Sequence, residues 1–448
     1  MGNYFLGIDY GTGGAKGCIA DLDGTVNGYY FEEYPIITLR PGWSEHNPSL
    51  YWEIACRIIK NSIAMAKIKP SEIKGIAVSC ALPCMVMIDR EGNIINNAYN
   101  LMDRRAVKEV EWAKNNIGER EVFNVTANRL DDHPSSVNIL WEKNNRFNDY
   151  RKIYKVLTIS SYINYKLTGV LGEVHQNLAF SGLYNIIKKN FDEELLKKFN
   201  IAIGIFPNLY YAREIIGKVS NKAASDTGLV AGIPVSAGQT DFNASCIASG
   251  VISEGDIQCN LGTCGNFGVV HKDTNFMYEM ITWGFTVGEE DTYITAATTT
   301  TGGMSLRFIR DNFSQLEVAA ENAFGISSYE LLDKQAENTP VGSDGLVVLP
   351  YFTGERTPIW NSLARGVVFG LSLNHNKSHL IRATMEGVAF ALYDSLIYFK
   401  DRNIKINYPL VMHEGGAKSN IWRQIITDVF NVDTVLTKSR IGAPYGDT

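Results

Sequence analysis

The sequence has little that would mark a secreted, membrane-bound or nucleic-acid-binding protein. Its seven cysteines are scattered singly through 448 residues and form no CxxC pair, which favours reduced thiols and predicts a cytoplasmic location. No apolar run is long enough to cross a bilayer. Lysine and arginine number 42 against 48 aspartates and glutamates, a net charge of −6, so nothing favours general attraction to nucleic acid or anionic lipid.

The length and the pattern of apolar residues predict two large α/β domains. A chain of 448 residues is too long for one ordinary core. Strands are predicted at 4–9, 15–22 and 25–33, followed by a helix from about Ser49. The alternation of strands and helices then continues along the chain. The first helix has one buried stripe, formed by Ala55, Ile58, Ile59, Ser62 and Ile63.

A glycine-rich turn occurs twice. The first strand runs into Asp9-Tyr-Gly-Thr-Gly-Gly, and Asn260-Leu-Gly-Thr-Cys-Gly repeats this pattern 251 residues later. Two such turns, each early in its own half, predict duplicated lobes that face one another across a central cleft. Backbone N–H groups in the two turns could hold a phosphate chain from both sides.

Two other nucleotide-binding motifs are excluded by their spacing. Lys16 occupies the position of the third glycine of GxGxxG, and Ala417 stands where the Walker loop requires glycine. An acid with two glycine-threonine hairpins remains, which is the arrangement of the actin-like sugar kinases.

Several segments, in the same order as in that group, resemble the FGGY family of carbohydrate kinases. The most specific is "GVVFGLSLNHNKSHLIRATMEG", preceded by "GLVVLPYFTGERTPIW"; "DYGTGGAK", "GQTD" and "EGGAKSNIW" also match. The resemblance implies a two-lobed, ribonuclease-H-like (actin-like ATPase) α/β fold. Residues 1–245 would form the lobe that mainly binds sugar, and 246–448 the lobe that mainly binds ATP.

The resemblance also implies the roles of two acids. Asp241 would be the catalytic base, which the reaction needs because a sugar hydroxyl is a poor nucleophile at neutral pH. Asp9 would orient Mg²⁺ on the phosphates, usually through water. Plainer interpretations stay open: Asp241 as a helix N-cap and Asp9 as an acid in a strand-end turn.

The remaining nucleotide contacts are implied in the same way. Those to the phosphates come from both turns, and those to the adenosine come from two later loops. The phosphate set is Gly11, Thr12, Gly13, Lys16, Gly262 and Thr263. The adenosine set is Gly302, Gly303, Gly415, Gly416 and Ala417.

On the sugar side the sequence departs from its relatives. Leu82 and Pro83 stand where glycerol kinases have Arg-Glu and xylulokinases have Met-His. Asn138 stands where the family signature has lysine, whereas Trp43, Asp103 and Arg105 match the family pattern. The expected substrate contacts are Leu82, Pro83, Trp43, Asp103, Arg105 and Asp241, and the expected substrate is a ketose such as a pentulose.

The sequence therefore predicts an ATP- and Mg²⁺-dependent kinase of a small sugar or polyol. Nucleic-acid and membrane partners are not expected, and a homodimer stays open. The given sequence stops at "GAPYGDT", where relatives continue, so we expect the family's final segment to be absent. Two alternatives remain: an actin-like ATPase without a sugar substrate, and a sugar-binding homologue that has lost catalysis.

Overall fold

The computed structural model forms two units. The first comprises Met1–Gly250, Trp283–Tyr293 and Ile441–Thr448; the second comprises Val251–Thr282 and Ile294–Arg440. None of the helices described is long and apolar enough to span a membrane. The structure describes residues 2–131, 135–288, 291–437 and 441–448.

Strands and helices are numbered in chain order. Strands β1 to β23 are Tyr4–Tyr10, Gly14–Asp21, Val26–Glu33, Glu45–His46, Ile73–Cys80, Val86–Ile88, Ala98–Tyr99, Lys155–Leu157, Gly172–Val174, Tyr184–Asn185, Asn190–Phe191, Asn208–Tyr210, Ile215–Lys218, Pro234–Ser236, Gln239–Thr240, Asp256–Leu261, Gly265–His271, Ile281–Gly284, Tyr293–Thr299, Val347–Leu349, Val367–Phe369, Asn407–His413 and Thr434–Leu436. Helices α1 to α15 are Pro48–Ala66, Val107–Asn116, Glu119–Thr126, Ser135–Asn145, Phe147–Tyr150, Ile159–Thr168, Glu193–Phe199, Asn221–Thr227, Asp241–Ala248, Gly303–Phe313, Gln315–Phe324, Ser328–Glu337, Lys377–Asp401, Asn420–Phe430 and Ala443–Gly446.

The main sheet of the first unit is organised around β1. Its order is β13-β14-β5-β1-β2-β3, and β15 also pairs with β5. Strand β1 is antiparallel to β2 and parallel to β5. The predicted stripe of α1 is buried in full and joins one apolar core with β1 and β5 residues such as Ile8 and Val78. The first three strands lie within one residue of their predicted bounds, and the first helix begins one residue before its predicted start.

The main sheet of the second unit repeats this scheme around β16. Its order is β18-β19-β17-β16-β22-β23. Strand β16 is antiparallel to β17 and parallel to β22, as β1 is to β2 and β5. The bounds of β16 and β17 match those of β1 and β2, shifted by 251, to within one residue. The repeated turn therefore belongs to a repeated sheet, as the sequence predicts.

The short helix α15 packs very closely onto the first unit. A Cβ atom at Gly446 would lie 1.8 Å from the carbonyl oxygen of Ala244 in α9, and one at Gly7 would lie 2.0 Å from the carbonyl oxygen of Pro444. Real Cβ atoms do not approach backbone oxygens so closely, so both positions require glycine for this packing. Residues 441–448 are thus fitted against β1 and α9.

A buried arginine holds together the segment around β4 and β7. The Arg105 side chain has no exposed surface. Its Nε and Nη2 donate to the two carboxylate oxygens of Asp103 at 2.8 and 2.7 Å, and Nη2 also donates to Glu45 at 2.6 Å. The guanidinium carbon lies 4.1 Å from the Trp43 ring centroid and 3.8 Å from that of Tyr99, within cation–π range.

We predict that Arg105→Met destabilises the first unit by about 3–5 kcal/mol, because it leaves the carboxylates of Asp103 and Glu45 buried without their cation. Urea unfolding followed by tryptophan fluorescence measures the change, since Trp43 lies in this cluster. Arg57→Met is the matched control, because Arg57 pairs with Glu32 at the surface and such pairs contribute at most about 1 kcal/mol. Equal losses of unfolding free energy in Arg105→Met and Arg57→Met would contradict the prediction.

Candidate active site

Four polar side chains form a row across adjacent strands of the first unit. Asp9 on β1 is paired in register with Lys16 on β2 and with Ser79 on β5. Ser79 is paired in turn with Gln239 on β15. Side chains of directly paired residues lie on the same face of a sheet. The row therefore presents a cation, an acid, a hydroxyl and an amide side by side.

Asp9 is held on two sides by this row and is only 2% exposed. The Nζ of Lys16 lies 3.5 Å from Oδ2 of Asp9, and Oγ of Ser79 donates to Oδ1 of Asp9 at 3.2 Å. The Lys16 side chain keeps 34% of its surface exposed. One carboxylate oxygen thus faces a partly exposed cation, whereas the other accepts a hydrogen bond from a neighbouring strand.

Asp241 begins helix α9 directly after β15. The N-cap of this helix is Thr240, whose hydroxyl accepts the N–H of Asn243 at 3.1 Å. Oδ1 of Asp241 accepts the N–H of the next residue, Phe242, at 2.7 Å. The interpretation of Asp241 as the N-cap is therefore wrong, because the preceding threonine caps the helix.

The surroundings of Asp241 favour its protonated form. Burial, followed by the nearby charge of Asp9, raises the pKa of Asp241 to about 7, while the Phe242 N–H and the Lys16 charge act in the opposite direction. A carboxyl group with a pKa near neutrality can both accept and release a proton under physiological conditions.

A third acid, Asp447, is part of the same cluster and was not found by sequence reasoning. Its Oδ2 lies 2.5 Å from Oγ of Ser79, and its Oδ1 accepts from Nε2 of Gln239 at 3.0 Å. Burial raises the pKa of Asp447 well above its usual value, and the charges of Asp9 and Asp241 add to this effect. No local pattern indicates these contacts, because Ser79 lies 368 residues earlier in the chain.

The glycine turn after β1 is closed by backbone hydrogen bonds. The N–H of Gly11 donates to the carbonyl of Gly14 at 2.9 Å, and the N–H of Tyr34 donates to the carbonyl of Gly13 at 3.2 Å. The hydroxyl of Tyr34 donates to the carbonyl of Gly11. Gly13 is exposed and Thr12 is half-buried, so the tip of the turn offers backbone and hydroxyl groups at the surface.

In the second unit, the corresponding turn lies against the start of α10. The N–H groups of Gly302 and Gly303 donate to the carbonyls of Thr263 at 3.0 Å and Gly262 at 2.7 Å. The structure thus joins two segments that the sequence assigns separately to phosphate and to adenosine.

The loop 415–417 reaches the same end of β16. A Cβ atom at Gly416 would lie 2.7 Å from Cβ of Leu261, the last residue of β16, and Ala417 is 2% exposed. Gly415 begins the short turn that leads into α14. All seven residues predicted for the nucleotide in this unit therefore lie near the carboxyl end of one strand.

Three of the residues predicted for the sugar line two adjoining cavities in the first unit. Leu82 lines one cavity and Asp103 the other, and Pro83 lines both. The second cavity is also lined by Asn138, whose buried Oδ1 has no hydrogen-bond partner among the described residues. The sequence singled out Asn138 only because the family signature has lysine at this position. Trp43 and Arg105 belong to the buried cluster that fixes Asp103.

The donor set fits a metal ion that arrives with a nucleotide. Among the described residues, no group of three or more histidine, cysteine, aspartate or glutamate side chains could hold a metal. Mg²⁺ commonly binds through one or two carboxylates, several waters and substrate phosphates. Asp9, beside the glycine turn, is a carboxylate of this kind.

Models of two domains match almost the whole chain. Residues 4–248 match the N-terminal domain of the FGGY family of carbohydrate kinases, and residues 257–446 match its C-terminal domain. The xylulose kinase of Bacillus subtilis (strain 168) is 27% identical over 99% of this chain and 86% of its own length. The gluconokinase of the same organism is 28% identical over 98% of this chain and 85% of its own length.

The fold agrees with these matches. The crystal structure of xylulose kinase from Rhodospirillum rubrum superposes with a TM-score of 0.90 at 25% identity, covering 99% of this chain and 88% of that one. Its similarity confirms the predicted two-domain α/β fold. The chain therefore belongs to the FGGY family of carbohydrate kinases, enzymes that transfer a phosphoryl group to an alcohol.

Proposed function

We propose that this kinase transfers the γ-phosphoryl group of ATP to a hydroxyl of a ketose, most readily a pentulose. The observation that carries the proposal is the position of Asp241, at the start of α9 and with a pKa raised to about 7. Thr240 already caps the helix. The Asp241 carboxylate is therefore available for chemistry.

In the proposed reaction, Asp241 accepts the proton of the attacking sugar hydroxyl. Phosphoryl transfer is catalysed mainly by positioning and charge stabilisation, so the remaining groups hold the phosphates. Asp9 would hold Mg²⁺ through water, and Lys16, 3.5 Å from Asp9, would neutralise phosphate oxygens. When bound, Mg²⁺ neutralises the charge that develops on the phosphates.

Each predicted lobe has its own proposed share of the ligands. Residues 1–245 would mainly bind the sugar, and residues 246–448 would mainly bind ATP. Gly11, Thr12 and Gly13 would contact the phosphates from the first unit. The second unit would contribute the group at the end of β16: Gly262, Thr263, Gly302, Gly303, Gly415, Gly416 and Ala417.

The proposed sugar site lacks the charged handle of glycerol kinases. Leu82 and Pro83 would contact the carbon chain, and Trp43, Asp103 and Arg105 would shape the wall behind it. The Oδ1 of Asn138, which has no hydrogen-bond partner in the described part of the chain, is an acceptor for a sugar hydroxyl, because a buried carbonyl oxygen gains a hydrogen bond there. A ketose has a longer carbon chain to contact Leu82 and Pro83, and more hydroxyl groups to donate to Asn138, than glycerol has.

The supply of ATP in the cytoplasm suggests that the enzyme works there.

A second copy of the chain is a suitable protein partner. The hairpin of β20 and β21 and the residues after it expose a group of apolar side chains: Val347, Leu349, Val367, Val368, Phe369, Leu371 and Leu373. Exposed apolar side chains in such numbers are typical of protein interfaces. We propose that it is covered in a homodimer.

We expect a ketose to be preferred over glycerol. ADP release with ATP and Mg²⁺ is measured against pentuloses, hexuloses, gluconate and glycerol, and kcat/KM is compared. Preference for glycerol would contradict the proposed sugar site. ADP release that ignores every sugar would indicate an ATPase, and sugar binding without turnover would indicate a sensor.

We expect Asp241→Asn to lower kcat about 10²–10⁴-fold, the usual contribution of a positioned general base. Asparagine keeps the shape and the acceptor for the Phe242 N–H, so calorimetry should find sugar and ATP binding retained. Thr240→Ala is the matched control: it removes the cap at a cost of about 1 kcal/mol but keeps the base. Near wild-type turnover in folded Asp241→Asn would exclude Asp241 as the base.

We expect kcat/KM for the sugar to rise with pH up to about 7 and then level off, because only deprotonated Asp241 accepts a proton. Raising the Mg²⁺ concentration should move this rise to lower pH, since a cation on Asp9 opposes the repulsion that raises the pKa of Asp241. Rate profiles at several Mg²⁺ concentrations test this. A profile that is flat between pH 5 and 8, or identical in Asp241→Asn, would contradict it.

A further inference from the structure

Asp447 is an acid that the proposed reaction does not use. It follows α15 and is 9% exposed. Its position is built into the fold, because the close approaches at Gly7 and Gly446 fix α15 against β1 and α9. Burying a carboxyl group is costly unless it is neutral or well paired. Its two contacts, to Ser79 and Gln239, therefore need an explanation.

The contact to Ser79 defines where protons lie. The Ser79 oxygen is 2.5 Å from Oδ2 of Asp447 and 3.2 Å from Oδ1 of Asp9. One hydroxyl proton cannot serve two carboxylates. Both contacts are satisfied when Asp447 is protonated, donates to Ser79, and leaves the Ser79 proton for Asp9. The raised pKa of Asp447 agrees with this order.

The contact to Gln239 links Asp447 to the segment that carries Asp241. Nε2 of Gln239 donates to Oδ1 of Asp447 at 3.0 Å, and Oε1 of Gln239 accepts from the hydroxyl of Thr286 at 2.7 Å. Both ends of the amide are thereby fixed. Gln239 lies two residues before Asp241, on the short strand that leads directly into α9.

We propose that Asp447 is a positioning residue for phosphoryl transfer. Through Ser79 it fixes Oδ1 of Asp9, and through Gln239 it fixes the strand end from which α9 and Asp241 begin. The inference rests on the proposed roles of Asp9 and Asp241. Residues that orient a metal-binding carboxylate typically change activity or metal affinity about 10–100-fold when they are lost.

Replacement by asparagine and by alanine distinguishes this role from simple packing. In Asp447→Asn, the amide can donate to Ser79 and accept from Gln239, as the protonated acid does, so most of kcat should be retained. Asp447→Ala and Asp447→Leu should lower kcat and raise the Mg²⁺ requirement, each about 10–100-fold, with the KM for the sugar unchanged. Turnover in folded Asp447→Ala equal to wild type, or an equal loss in Asp447→Asn, would overturn the proposal.

Ser79→Ala tests whether the effect passes through the serine. It should reproduce the higher Mg²⁺ requirement, and the double variant Ser79→Ala/Asp447→Ala should require no more Mg²⁺ than Asp447→Ala alone, because the two residues act in one chain of hydrogen bonds. If the increases in Mg²⁺ requirement of the two single variants add up in the double variant, Asp447 acts independently of Ser79. That result would overturn the proposed path to Asp9.

Tyr445→Phe is the matched control on the same helix. It removes the hydrogen bond from the Tyr445 hydroxyl to the carbonyl of Gly24 and leaves the acids untouched. Melting curves of all variants separate loosening of α15 from loss of positioning. A fall in kcat in Tyr445→Phe as large as that in Asp447→Ala would assign the effect to packing.

A binding experiment separates this inference from the proposed function. ATP affinity is measured by calorimetry with and without Mg²⁺, in the absence of sugar. Asp447→Ala should reduce the gain in affinity that Mg²⁺ gives about 10–100-fold, and Tyr445→Phe should not. An unchanged gain would overturn the role of Asp447 toward Asp9, whatever sugar is phosphorylated. A wild-type enzyme that turns over no sugar would overturn only the proposed function.

Discussion

The register between β1, β5 and β15 is the constraint on which the site depends. It pairs Asp9 with Ser79, and Ser79 with Gln239. Because successive side chains alternate between the two faces of a sheet, a slip of one residue would turn Asp9 away from its neighbours. The parallel pairing of β5 with β15 also sets where α9 begins, and thus where Asp241 lies. Apolar residues of β1 and β5 pack with α1 in one core, which opposes such a slip.

Features that depend on neighbouring residues were predictable from the sequence. The turns after β1 and β16 follow from short glycine-rich patterns at a strand end. The buried stripe of α1 follows from its helical periodicity. The duplication follows from comparing the two turns, and the structure extends it to whole strands. Family segments indicated Asp241 and the loops proposed to bind the nucleotide, because those motifs are themselves contiguous in sequence.

Features that depend on distant partners were not predictable. Glu45 and Arg105 are 60 residues apart, and nothing in either segment indicates that they pair. The role of Asp447 requires knowing that α15 packs onto β1, which only the folded chain reveals. The capping of α9 was missed for a different reason: threonine and aspartate both cap helices well, so adjacent Thr240 and Asp241 could not be told apart by residue type.

The first unit is discontinuous, and this has a consequence for synthesis of the protein. Gly7 and Asp9 leave the ribosome early, but residues 441–448, which belong to the same unit, follow nearly all of the second unit. Until α15 is made, Ser79 and Gln239 lack the side chain that joins them. A nascent chain that stalls before Ala443 therefore leaves Ser79 and Gln239 without the contacts to Asp447, although β1, β5 and β15 have already been translated.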